Sequence, residues 1–423
     1  MAKIIILVIL YFTVPLLIIF LCKRWSILKK VGSIVIAYAL GLILGSSGIL
    51  PRGSGNYYLA LHGNSSLSKS EMSSLLSAGT ITEDDVFVNS IASVQDMLTS
   101  IAIPLAFPLL LFSFNIRKWF RYAKAGFISM LLALVSILII IITGFFIFRH
   151  VVPDSWKVAG MLVGVYTGGT PNMASLSIAL DVDPNLFLVT NTYDIVVGAV
   201  TLIFFISVGP RVFRAFLPPF KRTGESGEHE KAAAETESFE DFSGMFKKGR
   251  LIPLAGALGI SLLIAVTSAG IAMLLPKGAF MPAAILLITT FAIAGSLIPR
   301  INRIEKTFQL GMYFILVFSF AFASMADITK IFTVGYLGLL GFVTYAYFGS
   351  LVLHLLLSKI FRVNADDYLI TTTAFIYSPP FVPVIAAALK NKEVIITGIT
   401  VGIIGYIIGN YLGVGLGYFL RGF

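Results

Sequence analysis

Apolar runs of about 20 residues recur from one end of this chain to the other. As helices, such runs match the hydrocarbon thickness of a bilayer, and a helix satisfies its own backbone there. The chain is therefore expected to be an all-α polytopic membrane protein. Twelve runs can be marked, at roughly 4–22, 31–50, 88–114, 125–148, 158–180, 185–208, 251–275, 280–299, 307–326, 332–357, 368–389 and 394–420. About 12 transmembrane helices are expected, within 11–13. The first run is longer than a signal-peptide core and leads into Lys23, Arg24, Lys29 and Lys30 with no small-residue cleavage site. It is expected to be retained as a helix.

Charge agrees. Only 12% of the 423 residues are charged, against about 25% in soluble proteins. The net charge of +10 does not call for nucleic acid, because Lys and Arg sit in loops flanking the apolar runs. The single cysteine, Cys22, excludes an intrachain disulfide and a multi-cysteine metal site.

One run is interrupted. Tyr166 to Asp194 reads YTGGTPNMASLSIALDVDPNLFLVTNTYD. Gly168, Gly169, Thr170 and Pro171 stand where a spanning helix should continue, and Asn172 follows. Glycine loosens the backbone and proline removes a donor. In lipid such a break is tolerated where it lines a cavity, as at transporter ion or substrate sites. The second half repeats the pattern. YSPPFVPVIAAAL (377–389) has a tyrosine, a cluster of breakers around Ser378, Pro379, Pro380 and Pro383, and a small-residue helix. The Gly-rich GITVGIIGYIIGNYLG (398–413) comes after it.

Two matching breaks predict a repeat-built transporter. The first repeat with its leading helix is expected at 1–208, the second at 251–423. Between them, 209–250 is expected as a charged linker, its centre ESGEHEKAAAETESFED too polar for a core. Residues 51–87 are expected as a polar connection, and 115–124 as a basic helix at the interface. Loop charge suggests inversion. Loops 23–30 and 115–124 carry four Lys or Arg each, against two each in 51–87 and 149–157. Later, 209–250 has eight, 300–306 three and 358–367 two, against one, one and two in 276–279, 327–331 and 390–393. With twelve simple crossings the basic loops change sides between the halves, so the crossing count is off by one somewhere.

Ionisable groups inside a membrane are costly and functional by default. Asp194 is the one acid well inside a run; Asp96 and Asp327 lie near run ends. Asp194 suits a cation ligand, a proton carrier or a structural hydrogen bond, with Thr190 and Asn191 one turn back. Asn172 suits both a half-helix cap and a ligand, and Thr170 shares that ambiguity. Ser378 is the nearest polar group of the second break. Asn410 faces either the core or a helix neighbour. His354 is expected to be satisfied by neighbours. Enzyme activity is not expected: no second GxGD aspartate and no phosphate-binding glycine loop accompany these groups.

The opening KIIILVILYFTVPLLIIFLCKRW, then IPLAFPLLLFSFNIRKW, AGMLVGVYTGGTPNMASLSIAL and GIIGYIIGNYLG together resemble the domain-of-unknown-function family 819. That family resembles the cation:proton antiporter and anion transporter superfamily. The resemblance implies two inverted repeats with two crossed discontinuous helices and an elevator movement. It places the breaks at Gly168, Gly169 and Asn172 and at Ser378, Pro379 and Pro380, and the acidic position at Asp194. An Asp-Asn pair is common there, whereas this chain has Asp194–Ile195, and Thr170–Pro171 precede Asn172.

The expected function is ion-coupled secondary transport, by sodium or protons, of a small organic anion or a monovalent cation. Asp194 and Asn172 are the expected sodium ligands. The site set is Gly168, Gly169, Thr170, Asn172, Thr190, Asn191, Asp194, Ser378, Pro379, Pro380 and Asn410. An uncoupled channel or facilitator and a non-transporting sensor are the alternatives. No cofactor is expected beyond the coupling ion. The expected partners are the cargo, the bilayer and a second copy in a homodimer, in a bacterial inner membrane.

Overall fold

A computed structural model of the chain describes residues 2–25, 28, 32–61, 66–113, 116–220, 241–245, 247–276, 279–325, 336–391 and 393–423. Among these, the regular structure is helical throughout. In chain order the helices are α1 (Ala2–Arg24), α2 (Ser33–Ser46), α3 (Gly55–Ala60), α4 (Lys69–Ser77), α5 (Glu83–Phe112), α6 (Ile116–Phe148), α7 (Ser155–Gly168), α8 (Thr170–Ala179) and α9 (Pro184–Ser207). They continue with α10 (Gly209–Phe216), α11 (Lys248–Ala272), α12 (Phe280–Ser296), α13 (Pro299–Asn302), α14 (Thr307–Ser324), α15 (Leu337–Ile360), α16 (Ala365–Ile376), α17 (Val382–Leu389) and α18 (Val394–Leu420). Eight of them, α1, α5, α6, α9, α11, α14, α15 and α18, are long and apolar enough to cross a bilayer. Helices α2 and α12 are apolar but shorter.

Two compact units form, and each draws chain from both sides of 209–250. The first comprises Met1–Ala106, Asp183–Leu188 and Gly311–Thr333. Its core centres on Tyr11, whose hydroxyl meets Ser324 Oγ at 2.7 Å, while Gln95 Nε2 donates to both at 2.8 and 2.9 Å. Closing this polar trio lets α1, α5 and α14 bury it among Ile18, Leu98 and Phe320. The expected polar connection 51–87 is folded. Ser54 and Ser68 cap α3 and α4, the latter in a capping box with Glu71. Asn89 holds Leu67 through both its amide groups, at 2.7 and 3.0 Å. Asp96 accepts from Ser66 Oγ at 2.9 Å; Asp327 lies outside the described residues.

The second unit comprises Phe107–Val182, Val189–Leu310 and Val334–Phe423. Residues 116–125 are no separate interfacial helix: their backbone opens the 33-residue α6 without interruption. The centre of the expected linker, 221–240, lies outside the described residues. Residues 209–216, expected as linker, form α10, whose Phe213 packs on Tyr368 and Phe205.

Both breaks are present, and each turns the chain back. Helix α7 ends at Gly169, where φ is 72° and ψ −166°, a conformation open essentially to glycine alone. Gly164 then lies against Leu176 and Gly160 against Leu180. Lys157 Nζ reaches the Asp181 carbonyl at 2.6 Å. Residues 160 and 180 of a continuous helix would be about 30 Å apart. α7 and α8 are thus an antiparallel hairpin, not the two halves of a crossing helix. The second break behaves alike: Asn391 Nδ2 donates to Asp366 Oδ2 at 2.9 Å, so α16 and α17 also begin and end together. The expectation of crossed discontinuous helices is corrected to two returning hairpins. Glycine and proline had marked where each helix stops; contacts between residues 24 and 25 apart in sequence decide where it goes next.

Candidate functional site

The hairpin tips meet. Ser378 has φ 73° and ψ 166°, nearly the geometry of Gly169, but it carries a side chain. That costs about 1–3 kcal/mol of backbone strain. Its hydroxyl is used: Ser378 Oγ donates to the Gly168 carbonyl at 3.2 Å. A Cβ on Gly169 would collide with that hydroxyl, which is a second reason for glycine there.

One helix supports both hairpins. Along α18, glycines recur at 398, 402, 405, 409, 413 and 417, a three-and-four spacing that keeps them on one face. Gly398 lies on Ile370 and Val382, and Gly402 on Pro379 and the Ala374 carbonyl. Gly405 then meets the Thr167 carbonyl, and Gly409 meets Asn172 and Thr167 Oγ1. Gly413 faces Leu176 and the Gly160 carbonyl, and Gly417 faces Leu180 and the Trp156 carbonyl. The order is monotonic. The second hairpin is met first, towards its tip; the first hairpin follows, from tip to base. The hairpins therefore approach from opposite ends of α18, tips together near its middle.

The sequence-selected residues gather largely at these tips. Asn172 is fully buried; its Nδ2 donates to the Gly405 carbonyl at 3.2 Å, and its Oδ1 has no protein partner. Gly168, Gly169 and Pro379 are buried and Thr170 is half-buried; Pro380 belongs to the 3-10 turn Pro379–Phe381. Asp194 is 9% exposed, and its Oδ1 is also unpartnered. Its electrostatic neighbours are Tyr166, Tyr347 and Tyr377, with the Tyr166 hydroxyl in hydrogen-bonding position. Tyr166 and Tyr377 are the residues just ahead of the two breaks. Asn191 is buried with both amide atoms unpartnered, and Thr190 is fully buried. Asn410 is placed elsewhere on α18, with Nδ2 donating to Thr289 Oγ1 of α12 at 3.1 Å. His354 is satisfied as expected, between Thr372 Oγ1 at 3.2 Å and Ser129 Oγ at 3.4 Å.

Three features escaped the reading of the sequence. Tyr377 donates its hydroxyl to the Gly198 carbonyl at 2.7 Å, one turn beyond Asp194 on α9. The glycine row is visible in the spacing, but the sequence marks it only as the Gly-rich segment after the second break. Asp366, expected in the loop 358–367, is 2% exposed and accepts from Arg214 Nη2 at 2.9 Å and Nε at 3.1 Å. The same Nη2 donates to the Leu389 carbonyl at 2.9 Å, fastening both ends of the second hairpin to α10.

A family model described as "Protein of unknown function (DUF819)" matches residues 70–423, which include every residue of this site. The chain belongs to the DUF819 family. This DUF819 protein is also similar to "Uncharacterized membrane protein YjcL" of Bacillus subtilis (strain 168). The two are 26% identical over 355 residues, covering 82% of this chain and 89% of that protein. With its long apolar helices, this DUF819 chain is an integral, multi-pass membrane protein.

Proposed function

We propose that this protein is a secondary active transporter coupled to sodium or protons, with its site where the hairpin tips meet. The observation that carries this reading is the pair of broken helices reaching α18 from opposite ends, beside the Asp194 carboxylate, whose Oδ1 is unpartnered. Irregular backbone at membrane depth is tolerated where it lines a cavity or a site, and an intramembrane acid is functional by default. The oxygens of Asp194 and Asn172 are hard donors that suit sodium. The cargo site lies between the tips, and an elevator-type displacement of the hairpin-bearing part carries it across.

Loop charge supports the matching topology. Ten crossings, by the eight long helices and the shorter α2 and α12, leave both hairpins on the side from which they enter. Loops 23–30, 115–124, 209–250, 300–306, 358–367 and 390–393 then share one side. These have four, four, eight, three, two and two Lys or Arg. The other side receives 51–87, 149–157, 276–279 and 327–331, with two, two, one and one. The first set is cytoplasmic by the positive-inside bias. Each half then holds five crossings and one hairpin. An odd number inverts the second half relative to the first, and the charge conflict of the twelve-crossing count disappears.

Two measurements test this. Purified protein in liposomes should drive solute uptake under a sodium or proton gradient, and Asp194→Asn should abolish it while leaving the protein folded. Unchanged uptake by that variant removes Asp194 from the mechanism. In a Cys22→Ser background, His150→Cys and Lys390→Cys should react with an impermeant maleimide from opposite faces of the membrane. Labelling from one face alone sinks the ten-crossing topology.

A further inference from the structure

We infer that Tyr166 is the positioning residue through which the first hairpin senses the charge on Asp194, and that Tyr377 tethers the second hairpin to the same helix without sensing it. This rests on the proposed function for what neutralises Asp194, and extends it to how a hairpin responds.

A tyrosine stands ahead of each break, and both tyrosines bond to α9. Their anchor points there, Asp194 and Gly198, are four residues apart and lie on one face of the helix. The anchors differ in kind. Tyr377 donates to the Gly198 carbonyl at 2.7 Å. A hydroxyl has one proton to give, so the 2.5 Å contact between the Tyr347 and Tyr377 hydroxyls is a bond that Tyr347 donates. The other acceptor beside Tyr377 is Thr201 Oγ1, whose own proton goes to the Val197 carbonyl at 3.0 Å. Gly198 and Thr201 both belong to α9, and both are uncharged. An ion arriving at Asp194 alters neither, so the second hairpin keeps its tether.

Tyr166 has a choice that Tyr377 lacks. Its single proton has two acceptors in reach, the Asp194 carboxylate and the Val343 carbonyl of α15, the latter at 3.5 Å. The first is charged; the second is neutral and distant for a hydrogen bond. A bond to an ionised acceptor is roughly twice as strong as one between neutral groups. A bare Asp194 therefore holds Tyr166, and with it the end of α7, against α9. Neutralising the carboxylate removes that advantage, and Val343 then competes for the proton. Helix α15 is already a neighbour of the ring: Tyr166 packs edge-on against Tyr347, one turn beyond Val343, with centroids 5.5 Å apart and planes at 89°. The first hairpin is thus bonded to α9 through a group whose charge changes, and the second through groups whose charge does not.

The test follows thiol labelling of the full chain in nanodiscs, in a Cys22→Ser background at one pH. Two fully buried residues whose hydroxyls have no partner make conservative reporters, Ser175→Cys on α8 and Thr371→Cys on α16. A buried thiol reacts with a small maleimide only when its element opens, so the rate reports local opening. Asp194→Asn, which removes the charge and keeps the shape, should speed labelling of Ser175→Cys at least about fivefold and leave Thr371→Cys unchanged. Tyr166→Phe should do the same. The double variant should label no faster than either single one, because the two changes break one bond. In Tyr377→Phe, Ser175→Cys should still respond to Asp194→Asn in full. The inference is overturned if that response also survives in full in Tyr166→Phe, or if both reporters respond equally to Asp194→Asn. Should Tyr166→Phe not fold, the two reporters under Asp194→Asn alone decide the matter. A first hairpin that responds as expected, in a protein that moves no solute in liposomes, overturns the transporter reading and leaves the inference standing. Uptake that depends on Asp194 while neither reporter responds does the reverse.

Discussion

The two hairpins share a tip geometry and differ at their bases. At the tips, Gly169 and Ser378 adopt almost the same φ and ψ. At the bases, the first hairpin is closed by Lys157, which reaches one carbonyl and the half-exposed Asp154 at 3.3 Å. The second is closed by Arg214, which holds a buried carboxylate and a carbonyl at once, with Asn391 completing the set. A surface ion pair contributes little, whereas a buried carboxylate stripped of its partner is costly. The second hairpin is thus fastened and the first is only leaned on. If one hairpin swings to admit cargo, this difference assigns the movement to the first.

Five substitutions, at four positions, break or sharpen that comparison. The largest effect is expected from Arg214→Ala, about 3 kcal/mol of destabilisation, because Asp366 stays buried with Asn391 as its remaining side-chain partner. A lowered thermal midpoint with easier proteolysis near residue 390 would show it; an unchanged midpoint would mean the base is not a clamp. Gly169→Ala should cost about 2 kcal/mol and part the tips, since the new methyl meets Ser378 Oγ. Normal stability together with normal transport would contradict the tip contact. Ser378→Ala keeps the strained backbone and loses the bond to Gly168, for about 1 kcal/mol. Ser378→Gly also loses the bond but relieves the strain, so it should be the more stable of the two by calorimetry. Lys157→Met should cost less than about 1 kcal/mol. A loss as large as that of Arg214→Ala would erase the asymmetry.

Much of this was legible beforehand. Helix-breaking chemistry is local, so Gly169, Pro171 and Pro379 announced both breaks. Asp194 stood out because a lone acid among apolar residues is rare. What stayed hidden was non-local. The return of each hairpin brings Lys157 to Asp181 and Asp366 to Asn391, and neither pair has a sequence signature. A broken apolar run of 23 residues looks the same whether it crosses or turns back. In the ten-crossing topology proposed above, the misfit in loop charge is the trace of that difference. Asp366 is hidden for a different reason: its neighbours in sequence suggest a loop, and its partner Arg214 lies 152 positions away.

The glycine row of α18 has a consequence for how substitutions spread. Gly402 and Gly405 are less than one helical turn apart, yet one abuts the second hairpin and the other abuts the first, which reach α18 from its opposite ends. A methyl group added at either position is felt by both hairpins through a single rigid rod. Variants along this row should therefore resemble one another in phenotype whichever hairpin they touch.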